Sequence, residues 1–351
     1  MRKLKYSQAI NEALILSMSK NKRVIVLGLG SDDPKGIFGT THGLKEKFGK
    51  NRVFDVPTAE NSLTGISIGM ATEGYRPVLS HQRVEFALLT IEQIFNQAAK
   101  WNFMSAGKKK VPLVIRLIIG RGWGQGPQHS QSLEAIFAHI PGLIVVTPST
   151  ASDAKGMLIS SINNNNPVIF FEHRWLHDNY GNVPKNYYET RINKSKVMKL
   201  GKDISLISNS FMAIESFKAA QLLEKFNINS EVLDLRVIRP LDKKSIIRTA
   251  KKTRKILAID NGLSTFGVSA EVISTIIDEE SLDNKIKLKR IGLMDAPIPS
   301  TRALAKHIYP TYISIAIEVF KLLKKRVPKE ILHSSDRYSS DQPDKNFKGP
   351  F

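Results

Sequence analysis

At 351 residues the chain is too long for one average domain and fits two of ordinary size, and its 42% hydrophobic and 24% charged residues exclude a disordered chain. The absence of cysteine excludes disulfides, thiolate metal sites and a cysteine nucleophile. A net charge of +20 raises the possibility of nucleic-acid binding, but the lysines lie in short scattered clusters, as at Lys108 to Lys110 and Lys324 to Arg326, without interleaved aromatics for base stacking. A lysine-rich solvated surface, or an acidic partner subunit, accounts for the charge.

In chain order, the first twenty residues combine basic and apolar groups, but Gln8, Asn11 and Glu12 interrupt the apolar stretch and no small-residue cleavage site follows. This predicts the first helix of a cytoplasmic protein. No later apolar run approaches the roughly 20 residues that cross a bilayer, so no membrane association is expected. Short β-rich apolar runs then alternate with helix-length amphipathic segments, the pattern of a parallel-sheet α/β architecture. Strands are predicted at 24–27, 78–81, 113–117, 143–146 and 168–171, with helices at 60–73, 88–103 and 151–163. The alternation breaks between 175 and 200, where Asn, Gly, Pro, Tyr and charges mix without a period. It restarts with strands at 204–207, 231–234 and 256–260, and helices at 213–226, 243–253, 268–279 and 311–323. The expected organisation is a first domain over 1–180, a linker over 181–200, a second domain over 201–330 and a polar tail over 331–351.

Three segments hold candidate chemistry. Glu60 follows Asp55-Val56-Pro57-Thr58-Ala59 and opens a small-residue helix, where a carboxylate also suits the helix dipole. The run Ser80 to Phe86 ends a strand, the edge at which α/β sheets place ligands, although Phe86 alone reads as a core aromatic and Arg83 as a charge pairing with Glu85 or Glu92. The loop from Gly120 to Gln131 has glycine at 120, 122, 124 and 126, a density that lets a ligand approach the backbone. It matches neither the phosphate-cradling loop nor the dinucleotide fingerprint. His129 within it suits an acid–base group or a structural hydrogen-bonder, and with no second His at ligand spacing no metal site is expected.

Taken together, "RVFDVPTAENSLTGISIGMA", "EQIFNQAAK", "QHSQSLEA", "PGLIVVTPSTASDAKGML", "NPVIFFEH", "LDLRVIRPLD" and "DAPIPS" resemble the beta subunit of the decarboxylating component of 2-oxo acid dehydrogenases, itself similar to the later part of transketolase. The resemblance implies a pyrimidine-binding α/β domain followed by a transketolase C-terminal domain. It implies thiamine diphosphate as cofactor, shared with an alpha subunit that holds the diphosphate and Mg2+ in a heterotetramer. No Gly-Asp-Gly of that kind occurs here, so the chain has half a cofactor site. Glu60 matches the activating glutamate, Phe86 the aromatic stacked on the aminopyrimidine, and His129 the active-site histidine. Gln82 is expected at the cofactor.

His81-Gln82-Arg83-Val84 departs from the aromatic–Met–Thr–aromatic run of pyruvate-type relatives, and the glycine loop departs through Arg121 and Trp123. His81, Arg83 and Arg121 are therefore expected at the substrate, a 2-oxo acid or a carbonyl compound bearing hydroxyls, carboxylate or phosphate. The expected reaction is decarboxylation with acyl transfer, with a lipoyl acyltransferase as a further partner. The alternatives are a two-subunit transketolase-like or carboligase enzyme and, from another class, a basic scaffold or nucleic-acid-binding protein on a relict fold.

Overall fold

The computed structural model describes residues 2–33, 35–121, 124–280, 282, 285–305 and 307–334. Two compact units share the chain, Met1–Gly122 with Ile136–Ile192, and Trp123–Ala135 with Asn193–Phe347. Both are α/β, as the alternation predicts.

In the first unit, strands β2 (Val24–Gly28), β3 (Val53–Phe54), β4 (Arg76–His81), β5 (Val114–Ile119), β6 (Ile144–Val146) and β7 (Val168–His173) line up in the order β6-β7-β5-β4-β2-β3, all parallel. Runs such as Val-Ile-Val-Leu in β2 are buried along their length, because helices cover both faces of a parallel sheet. Helices Tyr6–Lys20 and Ala151–Asn163 pack together on this layer. Thr150 caps the second of them, its hydroxyl accepting from the Asp153 amide at 3.1 Å.

The stretch predicted as an unpatterned linker contains two strands. The N-terminal β1 (Arg2–Lys5) pairs antiparallel with β8 (Tyr180–Val183), and β9 (Lys196–Lys199) joins the second sheet. Neither run has internal periodicity, since each takes its order from a partner distant in sequence. Buried Lys155 secures the intervening turn, its ammonium donating to the carbonyls of Pro184 at 2.6 Å, Asn186 at 2.9 Å and Lys185 at 3.3 Å.

The helix predicted over 88–103 is three pieces: a 3-10 turn Phe86–Thr90, a π-turn Gln93–Ala98 and an α-turn Ala99–Met104. Apolar spacing does not separate these windings. At their junction Gly142, with φ +100°, abuts the Ala99 carbonyl so closely that a Cβ there would stand 1.9 Å from its oxygen.

The second unit carries β10 (Ile204–Ser208), β11 (Ser230–Asp234), the short β12 (Val237–Arg239), β13 (Lys255–Leu263) and β14 (Lys287–Leu293). Its sheet runs β14-β13-β10-β11-β9 and is parallel except at β9. Helix Ser210–Glu224 packs on β11 and on helix Tyr312–Leu322, the latter opened by a Thr311–Ser314 capping box. Of the predicted tail, residues 331–334 end a short helix and residues 335–351 lie outside the described residues.

Candidate functional site

The carboxyl end of the first sheet is open at β2 and β4, and the loops that follow them make a recess. The loop after β2 is held by Asp55, whose carboxylate accepts from the amides of Gly30 at 2.7 Å and Val56 at 2.8 Å. That contact fixes the chain leading into helix Glu60–Thr72, which begins at Glu60 without a side-chain cap. Glu60 lines the recess from the end of a helix that favours negative charge.

The recess is open to solvent and is lined by Gly28, Leu29, Val56, Pro57, Thr58, Glu60, Leu63, Leu79, Ser80, His81, Gln82 and Phe86. Of the predicted site residues it gathers Glu60, Phe86, Gln82 and His81. Glu60 and Phe86 are half-buried. Gln82 is oriented by donation from Nε2 to the Leu29 carbonyl at 2.9 Å. His81 is 5% exposed, burial pushes its imidazole down to about 4, and its Nε2 has no hydrogen-bond partner among the described residues. It is therefore a neutral imidazole at physiological pH. Leu29, Ile66, Leu88 and Leu89 are exposed on the recess wall, on the next turn of its helix and beside Phe86.

Arg83 and Arg121 are not among the lining residues. Arg83 is buried, donates to the Gly120 carbonyl at 2.9 Å and lies 5.9 Å from the centroid of the Phe38 ring. Arg121 is fully buried. Within this chain both guanidiniums are buried, and that of Arg83 has a fixed acceptor in the backbone carbonyl of Gly120. Gly122 and Trp123 of the same loop lie outside the described residues. His129 is half-buried in the segment that groups with the second unit.

A buried polar network beneath Ser80 was not anticipated. Arg116 donates to Glu172 from Nε at 2.5 Å and Nη2 at 3.0 Å, to Ser80 Oγ at 3.1 Å and to Thr40 Oγ1 at 2.8 Å. His177 Nε2 lies 3.2 Å from Glu172 Oε2, the oxygen that also accepts from Arg116 Nη2. The Arg116 charge and the hydrogen bonds from Arg116 and His177 overcome burial and pull Glu172 down to about 2. This network joins β4, β5 and β7 directly behind the recess. The available signal was one charged residue within each of two continuous apolar strands, Val-Ile-Arg-Leu-Ile-Ile and Val-Ile-Phe-Phe-Glu-His.

The residues fit an aminopyrimidine. A carboxyl group, a half-buried aromatic face, apolar side chains and a buried imidazole nitrogen without a partner among the described residues all meet in one recess. Among the described residues no helix is long and apolar enough to cross a membrane.

Comparison with known proteins agrees with this geometry. The family described as "Transketolase, pyrimidine binding domain" matches residues 2–178, and "Transketolase, C-terminal domain" matches 193–315. The chain is 34% identical over 333 residues to the beta subunit of acetoin:2,6-dichlorophenolindophenol oxidoreductase from Cupriavidus necator, covering 92% of this chain and 98% of that one. It is 37% identical to the pyruvate dehydrogenase E1 component subunit beta of Staphylococcus epidermidis and 38% identical to that of Staphylococcus aureus, in each case over 84% of this chain and 91% of the relative. A solved structure titled "Split gene transketolase, inactive beta4 tetramer" superimposes with a TM-score of 0.73 at 21% identity, covering 92% of this chain and 99% of that one. The chain belongs to the transketolase-like family of enzyme beta subunits that includes those of pyruvate dehydrogenase E1 and the acetoin oxidoreductase.

Proposed function

We propose that this chain is the beta half of a thiamine diphosphate-dependent 2-oxo acid dehydrogenase, completed by an alpha subunit in a heterotetramer. The observation that carries it is the convergence of Glu60, Phe86, Gln82 and His81 on one recess. When bound, thiamine diphosphate supplies the carbon nucleophile that decarboxylates a 2-oxo acid. Glu60 holds a proton at a ring nitrogen of the aminopyrimidine, Phe86 offers its flat face to that ring, and Gln82 is kept in place by the Leu29 carbonyl. His129 serves as the acid–base group toward the substrate. Arg83 and Arg121 act on the substrate side through Gly120 and the glycine loop, not by lining the recess.

The diphosphate and Mg2+ fall to the alpha subunit, whose Gly-Asp-Gly is missing here. Exposed Leu29, Ile66, Leu88 and Leu89 form the apolar rim that such a subunit would cover. A lipoyl acyltransferase is the acyl acceptor in this reading, which places the enzyme in the cytoplasm, unattached to membrane or nucleic acid. One observation favours a second reading, a transketolase-like or carboligase pair acting on a polyhydroxylated carbonyl: His81 adds a buried hydrogen-bonding ring to the polar run Ser80 to Gln82 in the recess wall.

Co-expression with an alpha subunit bearing Gly-Asp-Gly, followed by titration with thiamine diphosphate and Mg2+, tests the assignment. Saturable uptake and dye reduction with a 2-oxo acid are expected; no uptake with any such partner would sink it. In that complex Phe86→Ala should raise the thiamine diphosphate concentration for half-saturation about tenfold, the loss of one stacked ring. An unchanged titration would remove Phe86 from the cofactor.

A further inference from the structure

The segment carrying His129 is docked on the second unit on both sides of that residue. Upstream, Gly126 has φ +65°, and a Cβ on it would stand 2.4 Å from the hydroxyl of Ser300. Downstream, a Cβ on Gly262 would stand 2.7 Å from the Ser132 carbonyl oxygen. Beside it, Asn261 donates from Nδ2 to Glu134 Oε1 at 2.9 Å and to Ser132 Oγ at 3.3 Å. Glu134 is 2% exposed and lies within a closed polar cluster with Asp260, Asn209 and Asn261, none more than 4% exposed.

The hydrogen bonds in this cluster are unbalanced. Asp260 already accepts from the amides of Gly262 at 3.0 Å and Ser269 at 2.7 Å. Oδ1 and Nδ2 of Asn209 and Oδ1 of Asn261 are buried and have no partner among the described residues. The two amide oxygens lack a donor and two buried carboxyl groups are packed together, so a proton on Glu134 supplies one donor and relieves the contact of like charges.

We propose that Glu134 is a positioning residue for His129, acting as a buried hydrogen-bond donor that, with Asn261, latches the His129 segment to β13. The part concerning His129 in catalysis rests on the function proposed above. Burial first, and the neighbouring Asp260 carboxylate next, push Glu134 up to about 7, against the opposing amides of its own backbone, Asn261 and Asn209. Among the groups facing it, β13 contributes the charge of Asp260, whereas the helix beginning at Ser210 presents uncharged Asn209. For a carboxyl group whose folded value is raised, the native state keeps a proton that the unfolded chain releases. Stability therefore falls as pH rises from the ordinary carboxyl range toward about 7, then levels off.

The test compares thermal unfolding of the full chain with that of Glu134→Gln, a neutral donor of the same shape. The two should melt together near about pH 5, and the variant should melt several degrees higher by about pH 8. A variant that melts at or below the parent at the higher pH overturns the donor assignment. Positioning is read from the rate at which diethyl pyrocarbonate modifies His129, followed by peptide mass spectrometry with exposed His139 as the internal reference. Glu134→Ala and Asn261→Ala should each raise that rate about fivefold, with Glu134→Gln restoring it, as expected when a local closed state loses about one hydrogen bond. Unchanged reactivity in both alanine variants overturns the latch. Neither readout needs cofactor, so failure of thiamine dependence would sink the proposed function and leave these outcomes standing.

Discussion

Glu60→Gln in the reconstituted complex should lower thiamine-dependent turnover by about 10²–10⁴-fold, the range for loss of a positioned proton-transfer group. Glutamine keeps the length of the side chain and can still hydrogen-bond a ring nitrogen, so cofactor uptake should survive. What it loses is the capacity to exchange a proton at that atom. The measurement is initial rate with a 2-oxo acid and a dye acceptor, with bound cofactor quantified on the same sample. Full turnover at full occupancy would remove Glu60 from the chemistry. Loss of uptake alone would reassign it to binding. The recess supports the stronger expectation, because Glu60 begins its helix without a competing cap and faces the space beside Phe86.

The largest stability effect should come from Arg116→Met, which leaves the Glu172 carboxylate buried with only His177 beside it. Breaking one side of a buried pair costs about 3–5 kcal/mol. Glu172→Gln should be costly as well, since Arg116 then loses its counter-charge while remaining fully buried. Replacing both by apolar residues of similar volume should recover much of the loss. Urea unfolding of the two single variants and the double variant gives the coupling directly. If Arg116→Met melts with the parent protein, the pair does not hold β5 to β7.

Glu172 also sets an acid limit. Its folded value lies below its unfolded one, so the stabilisation is complete above about pH 4.5 and is lost as pH falls toward about 2, an effect of about 3 kcal/mol. Glu172→Gln should flatten that part of the stability–pH curve.

How far the sequence announces this molecule depends on where the information lies. Strands such as β2, β5 and β7 carry short, mostly apolar runs that open with Val-Ile and are legible one by one, as are helix starts marked by Thr150, Asp242 and Thr311. β1, β8 and β9 are not, because their order comes from pairing with residues far away in the chain. Winding between Phe86 and Met104 escapes detection because apolar spacing tolerates 3-10, α and π turns alike. Within the site, Glu60 and Phe86 are visible as residue types at the ends of elements. The burial of Arg83 and Arg121 is not visible, since a charge beside a glycine-rich loop reads equally as a ligand contact or as a packed group. Glu134 gave no cue either: a glutamate at the first position of a short helix usually faces water, and only the fold places Asp260 and two asparagines against it.

The position of residues 123–135 bears on any attempt to divide the gene. A fragment ending at Ile192 would encode His129 and yet omit Asn261, Gly262 and Ser300, the neighbours that give its segment shape. Domain exchange with a relative at that boundary would graft a new scaffold under an old histidine. Recombinants that also transfer the 123–135 segment would keep scaffold and histidine of common ancestry.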